Sequence, residues 1–224
     1  MKFSKPEWML IGVTILYMIL SPFVFIITND FLHAFLAWNM ILALIPFLIA
    51  KLLIKFHMEE RWKRIILFVL WILFLPNAFY LMTDLIYLSN HVFLYQEHLY
   101  ADVIYFDHFI PWLALFHIFL GVIISLIWGY HALSIVESVG MKVFSKKLVN
   151  GLIMAVLFLS SVGIYIGRFF RYNSWNLLRL YNIILDFIEA LSWNMVFFIV
   201  GYTVVLITLY FLIKVIKKLE ISTD

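Results

Sequence analysis

Two short polar stretches interrupt an otherwise apolar chain, and both contain residue types that can grip an anion or move a proton. The first, Leu75-Pro76-Asn77-Ala78-Phe79-Tyr80-Leu81-Met82-Thr83-Asp84, offers an amide and a carboxylate after a proline. The second, Gly167-Arg168-Phe169-Phe170-Arg171-Tyr172-Asn173-Ser174-Trp175-Asn176, offers two guanidiniums and two amides. A bilayer penalises ionisable side chains, so those beside apolar spans mark functional positions. If the helix before Arg168 continues, Arg168 and Arg171 at i,i+3 share one face. Two forked donors side by side suit a phosphate or carboxylate. The competing role is internal pairing with Asp84, Asp107, Asp186 or Glu189, which would lock an outer lid to the bundle. In the first stretch, Pro76 removes a backbone donor and presses on the carbonyl of Ile72, so the helix is expected to kink or break there. Asn77 beside the freed backbone and Asp84 two turns on would then form a binding site at the break. The competing reading is a structural kink, with Asp84 at the interface.

Other reactive groups are weaker candidates. His91, His98 and His108 lie among Glu97, Asp102 and Asp107, and His98 and Asp102 stand at i,i+4. No HExxH or equivalent spacing accompanies them, so no metal site is expected. His117, about two turns into an apolar run, reads as a hydrogen-bonded packing residue. Ser160 and Ser161 lack a GxSxG context, and Ser174 reads as a helix cap. Cysteine is absent, which removes thiol nucleophiles and disulfides. No cofactor is implied, and no soluble basic face exists to bind nucleic acid.

The elements that position these residues are membrane spans. The chain has 224 residues, 66% hydrophobic and 13% charged, a balance suited to a helical bundle in lipid. Apolar runs cover approximately Trp8–Ile27, Phe35–Ile54, Ile65–Leu88, His108–Tyr130, Leu148–Ile166 and Met195–Ile213. The first is too long for a signal-peptide core and reads as a retained anchor. Of the sixteen Lys and Arg residues, all but Arg168, Arg171 and Arg179 fall in connections on one side. The positive-inside rule therefore puts both termini in the cytoplasm, in keeping with an even span count. Between Gly167 and Asn194, Leu177, Leu180, Ile184, Phe187, Ile188 and Leu191 recur at helical spacing, opposite Arg179, Asn182, Asp186 and Glu189. That pattern predicts an amphipathic helix in the outer interface, N-capped by Ser174 or Asn173. Phe93, Leu94, Tyr100, Val103 and Ile104 predict a second, weaker interfacial segment of the same sort. Trp38-Asn39, Trp175-Asn176 and Trp193-Asn194 read as an aromatic belt.

Taken together, the two polar stretches resemble the signatures of a family of bacterial membrane proteins catalogued as domain of unknown function 1361. Leu75-Pro76-Asn77-Ala78 through Thr83-Asp84-Leu85 is similar to its LPNAPY…TDL motif. Gly163 through Trp175 is similar to its G-x-Y-x-GRF-x-R-[WY]-NSW motif. The resemblance runs from about the second span to the sixth. Asn77, Asp84, Arg168, Arg171 and Asn173 match. Phe79, Tyr87 and Asn176 depart from the pattern, and no role is carried over to them. The family brings no activity with it.

The expectation is an all-α polytopic protein: one domain over 1–224, six transmembrane helices, interfacial helices on the outer face, and a bacterial cytoplasmic (inner) membrane location. Asn77, Asp84, Arg168, Arg171 and Asn173 are the expected binding residues, for an anionic phospholipid or lipid-linked envelope precursor. Membrane lipids are the expected partners. The alternatives are a scaffolding subunit that docks an envelope protein and a small transporter.

Overall fold

A computed structural model describes residues 2–55 and 61–221. Seven α-helices dominate: α1 (Lys5–Thr28), α2 (Leu32–Lys55), α3 (Arg61–Tyr80), α4 (Phe109–Gly140), α5 (Lys146–Phe169), α6 (Leu180–Glu189) and α7 (Trp193–Ile221). All but α6 are long and apolar enough to cross a membrane, which makes this a multi-pass membrane protein. Helices are the natural outcome, because hydrocarbon leaves no partner for a backbone group except its own chain.

Local signals set the helix ends. Ser4 and Glu7 form a reciprocal capping box at the start of α1, where Ser4 N–H donates to Glu7 Oε2 at 2.7 Å. Asn29 closes the helix in a left-handed conformation with its N–H on Phe25 O. Asp30 Oδ1 then accepts from Leu32 N–H and starts α2. Ser145 caps α5 in the same way, accepting from Leu148 N–H.

Three sequence expectations change here. The helix continues through Pro76, although the proline leaves one ladder bond unmade. α3 runs on to Tyr80 and tightens into a 3-10 helix over Leu81–Asn90. Pro76 is accommodated because Gly163 faces it: a Cβ at Gly163 would lie 2.9 Å from Pro76 Cγ. The weaker interfacial segment is not a helix but an antiparallel hairpin, β1 (Leu94–Tyr95) paired with β2 (Ile104–Tyr105). Phe106 N–H on Phe93 O extends it. Its β-branched and aromatic residues favour extended pairing over a helix. Ser174 is not the cap of the amphipathic segment. Its hydroxyl donates to Leu73 O at 2.9 Å, while Asn173 N–H donates to Asn176 Oδ1.

The chain divides into two compact units, Met1–Ile45 with Asn77–Gly129 and Pro46–Pro76 with Tyr130–Asp224. The first is built around Tyr17, Leu36, Met40, Phe79, Ile118 and Trp128, with Trp128 Nε1–H donating to Thr14 Oγ1 at 2.9 Å. Gly121 lets the Tyr17 hydroxyl reach α4, since a Cβ there would sit 2.3 Å from Tyr17 Oη. In the second unit α5 packs along α7, and Phe47, Trp71, Leu75, Leu133 and Leu157 are fully buried. Tyr130 Oη–H donates to Leu206 O at 2.7 Å, and Lys214 pairs with Glu137. Helix α6 leaves Tyr181, Ile184, Leu185 and Ile188 exposed, as an interfacial helix does, while Phe187 packs against Tyr165, Met195 and Ile199.

Candidate functional site

The expected site residues fall in both units. Asn77 and Asp84 belong to the first, Arg168, Arg171 and Asn173 to the second. Asp84, on the 3-10 stretch, is 2% exposed, so its carboxylate is buried inside the protein. Asn39 Nδ2–H approaches its Oδ2 at 3.5 Å, the long limit for such a contact. Asn39 is itself buried, unlike the exposed Trp38 beside it. Asn77 is half-buried.

Arg168 and Arg171 do not share a helical face. α5 ends at Phe169, Phe170 caps it, and Arg171 adopts φ 61°, the left-handed region that non-glycine residues rarely enter. Holding an arginine there costs on the order of 1–3 kcal/mol, which the surrounding structure must impose. Two ties do so. Tyr172 Oη–H donates to Asp186 Oδ2 at 2.8 Å, which fastens the turn to α6, and Ser174 fastens it to α3. The bond to the Asp186 carboxylate also raises the Tyr172 phenol above its ordinary pKa, because ionisation would set two anions against each other. The outcome is an exposed Arg171, a half-buried Arg168 and an exposed Asn173 on a fixed turn beside an amphipathic helix.

A second constellation, in the first unit, was not foreseen. Ser21 from α1, His33 from α2 and His117 from α4 form a continuous buried chain, with Tyr17 stacked beside it. Ser21 Oγ lies 3.0 Å from His117 Nε2, and His117 Nδ1 lies 3.0 Å from His33 Nδ1. The Tyr17 ring stacks on His117 at 4.7 Å, and Asp84 lies within electrostatic range of Tyr17. Tautomers follow from the partners. Ser21 donates its one proton to Tyr17 O, so His117 Nε2–H donates to Ser21 and His33 Nδ1–H donates to His117 Nδ1. Turning the Ser21 hydroxyl onto His117 would reverse every donor in the chain without moving a heavy atom. At the outer end of the chain His33 Nε2 is buried without a partner among the described residues. Such a chain can relay or orient a proton. His117 is thus hydrogen-bonded, as expected, but as the centre of a network rather than as isolated packing.

Sequence reasoning passed over His33, Ser21 and Tyr17. The available signal was Tyr17 and Ser21 at i,i+4 on one face of an otherwise apolar helix, with a histidine at the start of the next. Of the other described histidines, His108 stacks on Phe106, and His91 packs edge-on to Phe93 within electrostatic range of His33. Among the described residues no three His, Asp or Glu side chains converge as metal ligands.

Fold and site together define a multi-pass helical membrane protein with an arginine-bearing turn and a buried polar chain. Residues 38–209 match the model of the family described as protein of unknown function (DUF1361), and the chain belongs to that family. The matched region contains all five expected site residues and His117, while Tyr17, Ser21 and His33 precede it. Comparison with curated proteins and with solved structures gives no match.

Proposed function

We propose that this protein recognises an anionic amphiphile, a phospholipid or a lipid-linked envelope precursor, at the outer leaflet of a bacterial cytoplasmic membrane, with both termini in the cytoplasm. Arg168 and Arg171 hold its phosphate, and Asn173 orients it. The observation that carries this reading is the strained, exposed Arg171. A non-glycine residue kept in a left-handed turn by two separate side-chain ties is a conformation maintained for use. The exposed apolar residues of α6, tied to the same turn through Tyr172, supply a surface for the hydrocarbon beside the charge.

The test is lipid mass spectrometry on gently purified protein. Arg168→Lys and Arg171→Lys keep the charge but lose the forked geometry, so each should reduce retention of an anionic lipid by roughly tenfold, the equivalent of about one charge-assisted bond. Membrane level and fold should stay as in the unaltered protein. Absence of any anionic amphiphile, with a specific envelope protein captured instead, would replace this reading with the scaffolding one.

A further inference from the structure

The buried chain of Ser21, His117 and His33 ends on a lone pair. With His33 Nδ1–H donating to His117, the Nε2 of His33 can only accept, and it has no donor among the described residues. A second imidazole nitrogen of the first unit is in the same condition. His91 closes the 3-10 helix with its backbone N–H on Leu88 O, and its Nε2 is buried without a partner while the residue as a whole is part-exposed. His91 lies within electrostatic range of His33. Buried polar atoms are normally paired, and two exceptions at one place call for a functional cause.

The helix ends give the direction of a path through these groups. His33 is the second residue of α2, directly after the Asn29–Asp30 turn, and is fully buried. Ser21 stands seven residues, about 10.5 Å, before the end of α1, and His117 stands eight residues, about 12 Å, after the start of α4. The part-exposed His91 is therefore the mouth, and His33, His117 and Ser21 follow inward. Charge favours a cation moving along this line. Asp30, whose carbonyl accepts His33 N–H, has its carboxylate in electrostatic range of His33, and Asp84 stands in the same relation to Tyr17 beside His117. The only Lys and Arg residues of the unit are Lys2 and Lys5, by the start of α1.

We propose that His91 is the proton entrance to the buried histidine pair and passes protons from solution to His33 and on to His117. Water gives a proton to His91 Nδ1. The proton on His91 Nε2 moves to the lone pair of His33 Nε2 when the two rings meet, and the His33 Nδ1 proton moves to His117 Nδ1. The protein gains one proton. His91 and His33 are left neutral in their other tautomers, and His117 becomes an imidazolium that donates through Nε2 to Ser21. Arg168 and Arg171 take no part, so the path stands apart from the proposed lipid recognition.

The full chain, with isotope-labelled histidine, is placed in nanodiscs, and exchange of the His117 Nε2–H proton with water is followed by NMR. His117→Phe assigns the resonance. His91→Ala should slow the exchange by roughly a hundredfold, the low end for a positioned proton-transfer group. Free imidazole should restore the rate in that variant and leave the native protein unchanged. His91→Phe, which keeps a ring beside Phe93, should stay slow with or without imidazole, and His108→Ala should exchange as the native protein does. Should His91→Ala exchange faster because water enters the gap, His91→Phe decides: a slow rate supports the path and a native rate refutes it. A native rate in both His91 variants would overturn the proposal. So would slow exchange in His91→Ala that imidazole fails to restore, because His91 would then only pack.

Discussion

Replacing His117 by phenylalanine should do more damage than replacing His33 and His117 together. Phenylalanine keeps the ring that stacks on Tyr17 but removes the contacts to His33 and Ser21, both 3.0 Å. Side-chain hydrogen bonds within membrane proteins average about 0.6 kcal/mol, so two account for about 1.2 kcal/mol. The larger part falls on His33. It is fully buried and its Nε2 already lacks a partner, so losing His117 strands the whole imidazole. That adds about 1–3 kcal/mol, for a total of about 2–4 kcal/mol. Ser21 suffers less, because its hydroxyl keeps Tyr17 O. In His33→Phe/His117→Phe no polar ring remains to be stranded, and stability should return to within about 1 kcal/mol of the unaltered protein. The assay is a double-mutant cycle of unfolding free energies in mixed micelles, followed by circular dichroism during dodecyl sulfate titration. If the double variant lies below His117→Phe by the full His33→Phe penalty, the two rings are not coupled and the chain is accidental packing.

The remaining predictions concern the frame. Reporter fusions after Lys63, after Lys146 and at the C-terminus should report cytoplasm, with those near Gln96 and Asn182 outside; an external C-terminus would invert the orientation read from the basic residues. Gly163→Ala should destabilise by about 1–3 kcal/mol, since its Cβ would press on the rigid Pro76 ring. Pro76→Ala in the same chain should restore most of that loss, and simple additivity would show that the two positions do not meet as described.

The spans were legible because runs of about twenty apolar residues admit one solution in lipid, and their basic flanks repeat at each turn. The amphipathic stretch around Ile184 and Phe187 was legible from its period alone. The hairpin was not, because Phe93, Leu94, Val103 and Ile104 say only that a segment is apolar, and two-residue strands are too short for alternation to show. Arg171 misled for a different reason. Phe170-Arg171-Tyr172 contains no glycine or proline, so nothing local announces a left-handed residue that distant ties impose. The His33–His117–Ser21 chain joins residues 84 and 96 positions apart, and only helix packing brings them together. Asn77, Asp84, Arg168, Arg171 and Asn173 stood out as candidates because polar residues are conspicuous in apolar sequence. Asp84 at 2% exposure differs from Arg171 at the surface in ways that no spacing encodes.

The lengths of α4 and α7 have a mechanical consequence. At 32 and 29 residues they extend about 48 and 43 Å, well beyond a hydrocarbon layer of roughly 30 Å. Near one end they are riveted together by Tyr130 on Leu206, Lys214 on Glu137 and Lys217 on Ser134. The charged rivets belong in the headgroup layer, and the tyrosine rivet sits about 10 Å below Glu137 along α4. The pair therefore works as a depth gauge. Bilayers that thicken must wet the rivets with hydrocarbon and bilayers that thin must bare apolar turns, at a fraction of a kcal/mol per Å in either direction. Lipid chain length, rather than headgroup charge, should then set how far this protein stands proud of its membrane.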